Sequence, residues 1–141
     1  MKKIWLRRLT AAVLVLAAVF LIGRRIVPVS FHRLMPELSA PEQCRVNTFE
    51  WNESVALSDQ ETGTLLTLLD GLKYRYDGRA PGGVMKGLLY HLSFFQSEPA
   101  ELRHLFVSRQ LGIVYVNDCK YEMIGDTTPL LDFLGSLKQH T

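Results

Sequence analysis

The chain has 141 residues, is 48% hydrophobic and 21% charged, and carries a formal net charge of +2 at pH 7. That charge is unevenly placed: residues 1–33 hold seven Lys/Arg and no Asp/Glu, whereas residues 34–141 hold nine Lys/Arg and fourteen Asp/Glu. The basic excess belongs to the N-terminal segment, the remainder is acidic, and the composition gives no argument for nucleic-acid binding.

The first element is an apolar run from Leu9 to Gly23, bracketed by Arg7-Arg8 and Arg24-Arg25. As a helix, its fifteen residues span roughly 22 Å against a hydrocarbon core of about 30 Å. Ile4, Trp5, Leu6, Ile26 and Val27 lengthen the apolar body, and the intervening arginines send their guanidiniums to the headgroups. Lys2, Lys3 and a short apolar core also open a secretory signal peptide. The small-residue cleavage site is missing, because Leu21-Ile22-Gly23 run straight into Arg24-Arg25. Residues 1–25 are therefore expected to be a cytoplasmic tip and an uncleaved transmembrane signal-anchor. Four cations precede the run and three (Arg24, Arg25, Arg33) follow it. The positive-inside rule then leaves the N-terminus in the cytoplasm and the rest outside the cell membrane of a single-pass protein.

Residues 26–43 contain Pro28, Pro36 and Pro41 with little periodicity and read as a tether. Residues 44–141 are enough for one extracytoplasmic domain with one core and too few for two. Cys44 and Cys119 are the only cysteines. In an oxidising compartment the two are a candidate disulfide, and in a reducing one they are lone thiols; they are too sparse and too far apart in sequence for a zinc site.

Within the domain, Ser58-Asp59-Gln60-Glu61 has the pattern of a capping box. Leu65, Leu66, Leu68, Leu69 and Leu72 come after it as one helical stripe. A second helix is expected to start with Thr128 as cap and Pro129 at its first position, and its stripe is Leu130, Leu131, Phe133, Leu134 and Leu137. Between them lie β-prone runs at Lys73–Asp77, Leu88–Gln96, Leu102–Ser108, Gly112–Asn117 and Tyr121–Ile124, separated by short turn signals. A further strand, Val46–Trp51, is expected ahead of the first helix. The order predicts an α+β domain: an antiparallel meander of about five strands with both helices on one face.

The Ser58-capped leucine helix, the Tyr90…Phe94 strand, the Val114…Tyr121 pair and the closing leucine-rich helix resemble anchored or lipidated extracytoplasmic domains of Gram-positive bacteria, a group largely of unknown function. The resemblance covers residues 46–137 and rests on pattern; it implies no catalytic residues. This chain lacks the lipidated cysteine of many such proteins.

Catalytic motifs are absent: there is no G-x-S-x-G, H-E-x-x-H or Walker-type phosphate loop. The glycine-rich stretch Gly78–Gly87 reads as a hairpin loop. His91 and His104 fall on consecutive strands. With a hairpin centred near Glu98-Pro99, His91 pairs near Phe106 or Val107 and His104 near Ser93 or Phe94, and a one-residue slip decides whether they share a face. With no third ligand evident, no metal site or cofactor is expected. Arg75, Arg79 and Lys86 form a local basic patch on an acidic domain, a candidate contact for anionic lipid or wall polymer beside the membrane. The expected function is a membrane-tethered binding or interaction domain, with lipid, wall polymer or another envelope protein as partner. The alternative is a small cell-surface hydrolase or enzyme inhibitor.

Overall fold

A run of apolar and cationic residues free of proline forms the first helix of the computed structural model, which describes residues 2–80 and 88–140. This helix, α1, covers Lys2–Ile26, 25 residues with none buried against the domain, long and apolar enough to span a membrane. Pro28 stops it, since the residue before a proline avoids helical backbone.

The segment after Pro28 is folded, where a tether was expected. Val29–Ser30 form β1 and Phe31–Leu34 a single helical turn, α2. Phe31, Leu34, Met35 and Leu38 are all buried in the main core. The prolines of this segment suggested a linker, yet the apolar residues between them project into the domain. Phe31 lies 6.2 Å, ring centre to ring centre, from both Tyr74 and Phe94. Buried Gln96 pins the segment's end: its Oε1 accepts from Ser39 N (3.1 Å) and Ala40 N (3.3 Å), and its Nε2 donates to Glu37 O (2.8 Å).

The remaining elements are β2 (Gln43–Asn47), β3 (Val55–Ala56), α3 (Asp59–Asp70), β4 (Lys73–Arg79), β5 (Leu89–Ser97), β6 (Ala100–Ser108), β7 (Ile113–Val116), β8 (Cys119–Ile124) and α4 (Thr128–Ser136), closed by a 3-10 turn. The fold is α+β, but among the described residues the sheet has eight strands where about five were expected, and there are four helices counting α1. The strand expected at Val46–Trp51 lies earlier, because Thr48 turns the chain: its carbonyl accepts from Trp51 N and its hydroxyl from Glu50 N.

All pairings are antiparallel, in the order β1-β4-β8-β7-β6-β5-β2-β3. The expected meander thus holds only from β5 to β8. β4 pairs with β8 rather than with its sequence neighbour β5. Complementary side chains line the ladder: Arg75 stands opposite Glu122 and bonds it at 2.6 Å, Asp77 meets Lys120 at 3.4 Å, and Tyr76 packs edge-on to Tyr121. Opposite charges and aromatic pairs facing each other across a ladder each stabilise it by roughly 0.2–1 kcal/mol. Asn117 and Asp118 both take positive φ (48° and 60°) in the two-residue turn between β7 and β8, the backbone a tight hairpin demands.

One face of the sheet carries the core. Val46, Leu92, Phe94, Leu105, Val107, Val114 and Tyr74 alternate along their strands and meet Leu65, Leu69, Leu130 and Leu134 of the helices. The capping box of α3 is present, with Glu61 N to Ser58 Oγ at 3.2 Å and Ser58 N to Glu61 Oε2 at 2.7 Å. The Tyr74 hydroxyl donates to Leu69 O at 2.7 Å, tying β4 to the end of α3. At α4 the cap differs from expectation: Thr127 takes the capping position without a side-chain bond, and the Asp126 carboxylate receives Thr128 N.

Candidate functional site

Strand alternation sends half of β5 and β6 to the face opposite the core, which no helix covers among the described residues. His91 pairs with Phe106, Ser93 with His104, and Phe95 with Leu102. A residue's neighbours two positions away share its face, so these six side chains form one continuous patch opposite the core. Its apolar end is exposed: Phe95 is 40% and Leu102 56% accessible.

The two histidines touch. His91 Nε2 and His104 Nδ1 are 2.9 Å apart. The Ser93 hydroxyl lies 3.5 Å from the former and 3.3 Å from the latter. Phe106 stacks on His91 at 4.4 Å with only 8° between the ring planes, which fixes the imidazole's orientation. Partial burial and the neighbouring His104 hold the His91 pKa below its ordinary value. Shallow grooves flank this ridge: one of 310 Å³ along Leu102, His104, Tyr115 and Asn117, and one of 270 Å³ along Asn47, Phe49, Leu89 and His91.

Among the described residues, Ser93 and His104 lack the geometry of a serine nucleophile and its base. A serine nucleophile needs its base to hold the hydroxyl at one ring nitrogen and an orienting group at the other. Here Ser93 and His91 both approach Nδ1 of His104. The backbone beside Ser93 is committed to ladders with β2 and β6, which leaves no paired N–H groups for an oxyanion. Elsewhere, Glu50 and Glu53 share a groove with Trp51 and Lys138, but Glu50 is engaged by Arg109 at 3.0 Å.

Of the basic patch, Arg75 is bound to Glu122, Arg79 is exposed at the end of β4, and Lys86 lies outside the described residues. The glycine-rich loop also falls largely outside them. Cys44 and Cys119 are both free thiols. They are four strand positions apart in the sheet order, about 19 Å at roughly 4.8 Å per strand, whereas a disulfide needs its Cα atoms within about 7 Å. The candidate bridge is therefore excluded within one chain. Burial pushes the Cys44 thiol pKa up to about 12.

The sequence placed the histidines' partners within one residue; what it left open was the face they share. Comparison with known proteins yields no relative: no family model matches the chain, and neither does any curated protein or solved structure.

Proposed function

We propose that this protein is a single-pass membrane protein whose C-terminal domain is an extracytoplasmic binding module, with the N-terminus in the cytoplasm. The observation that carries the reading is the direct union of an apolar 25-residue helix with a folded sheet. Only Val27 and Pro28 separate α1 from β1, and β1 pairs with β4. The Arg24 guanidinium lies 4.2 Å over the Tyr76 ring. A domain attached so closely works at the bilayer surface, and the sheet face opposite its core is the surface available to a partner. Arg75, Arg79 and Lys86 are its candidate contacts with anionic lipid or wall polymer.

Topology decides the proposal. Alkaline phosphatase fused after Thr141 should be active, and a fluorescent protein that matures only in the cytoplasm should stay dark there. The full chain should remain in the membrane pellet through alkaline carbonate. An inactive phosphatase, or a soluble product lacking α1, overturns the reading.

A further inference from the structure

We propose that His91, His104 and Ser93 form a binding site for a divalent first-row transition-metal ion on the sheet face opposite the core. The three donor atoms, His91 Nε2, His104 Nδ1 and Ser93 Oγ, are mutually 2.9, 3.3 and 3.5 Å apart. A circle through points so spaced has a radius of about 1.9 Å, so a position about 2.1 Å from all three lies about 0.9 Å out of their plane. With metal–nitrogen bonds of about 2.1 Å, adjacent donors sit about 3.0 Å apart around an octahedral ion and about 3.4 Å around a tetrahedral one. The triangle has the dimensions of one face of such a polyhedron.

The scaffold is suited to holding it. The donors project from neighbouring positions of β5 and β6, two strands joined by nine consecutive residue pairs, and rigid strands hold a donor set more tightly than loops do. Phe106 clamps the His91 ring in plane. His104 is exposed, so water completes the coordination from the solvent side.

The donor chemistry selects the ion. Two imidazoles and a neutral hydroxyl suit zinc, nickel or copper, whereas calcium and magnesium require carboxylate and carbonyl oxygens. Among the described residues no three His, Cys, Asp or Glu side chains come together, so the two imidazoles carry the affinity. Arg45 stands opposite Ser93 on β2, its Nε donating to Ser54 Oγ at 3.1 Å, and its charge opposes a cation. Binding in the micromolar range is the expectation. On metal binding the hydrogen bond between the imidazoles is exchanged for two metal–nitrogen bonds, and the proton it held is taken up at the other nitrogen of the donor ring, so that both imidazoles bind as neutral ligands.

The test uses the full chain in detergent micelles, purified without a histidine tag, and titrates zinc(II) and nickel(II) chloride at pH 7.5. One ion per chain should bind, and the ¹⁵N resonances of His91 Nε2 and His104 Nδ1 should move on adding zinc. His104→Asn, at an exposed position, and His91→Asn should each weaken binding at least about tenfold. Ser93→Ala should weaken it less, and His32→Asn, outside the site, should leave it unchanged. Affinity weaker than millimolar, affinity unchanged in His104→Asn, or ring resonances that ignore zinc would each overturn the proposal.

Discussion

Gln96 shows how one polar side chain can attach a whole segment. It is 1% exposed and makes four hydrogen bonds to backbone, three to residues 37–40 and one to Pro99 O. Replacing it with leucine keeps the volume but strands those backbone groups, and a buried group left unsatisfied costs about 1–3 kcal/mol. Gln96→Leu should lower stability in urea unfolding by about 2–4 kcal/mol, and a loss no greater than that of a surface change would mean the segment is held by its apolar residues alone. His91 gives a pH signature. Its folded pKa is lowered, first by burial and then by His104, so the unfolded chain binds more protons over the interval below its ordinary value of about 6.5. Stability then rises with pH across that interval and falls as pH drops through it. The urea midpoint should decrease more between pH 7.5 and 5.5 for the native chain than for His91→Gln; equal decreases would refute the assignment. The cysteines should separate by reactivity: Cys119, partly exposed, should react with a thiol reagent in the native state, and Cys44 only on unfolding.

At the level of elements, the leucine stripes organise the core. Leu69 and Leu134 are both fully buried, and truncating either to alanine should cost roughly 2–5 kcal/mol. Ser58→Ala should cost about 1 kcal/mol through the capping box. If both leucine variants unfold at the native denaturant concentration, the packing described for α3 and α4 is wrong. Local signals made these elements legible: stripes of helical period, a capping box, and turn residues at Asn117–Asp118 and at Ser97–Pro99, the latter also setting the β5–β6 register and the partners of His91 and His104. What was not legible is non-local. β4 leaves β5 for β8, where Arg75 meets Glu122 and Asp77 meets Lys120 across the sheet, and neither pairing leaves a trace in the spacing of either strand. The short β1 and α2 were hidden by three prolines that punctuate a folded segment as readily as a linker.

For the whole molecule, the packed segment sets where the folded domain begins. A chain starting at residue 27 keeps β1 and the buried Phe31, Leu34, Met35 and Leu38, and should unfold cooperatively. A chain starting at residue 44 loses all four and should lack a cooperative transition in circular dichroism; equal stability of the two would restore the tether. The longer fragment also allows the anionic-surface reading to be measured. It should bind anionic vesicles at low salt and release them as salt rises, and changing Arg75, Arg79 and Lys86 together to glutamine should abolish binding. A fragment indifferent to anionic vesicles at low salt leaves a protein partner in their place.

The junction at Val27-Pro28 has a mechanical side. A long flexible linker lets a domain tumble independently of its anchor; two residues, an adjoining strand pair and an arginine lying on a tyrosine do not. A spanning helix leans further as the surrounding bilayer thins. With α1 spanning the bilayer as proposed, that lean would be passed to the edge of the sheet, and the angle at which the β5–β6 surface is presented would track the thickness of the bilayer around the helix.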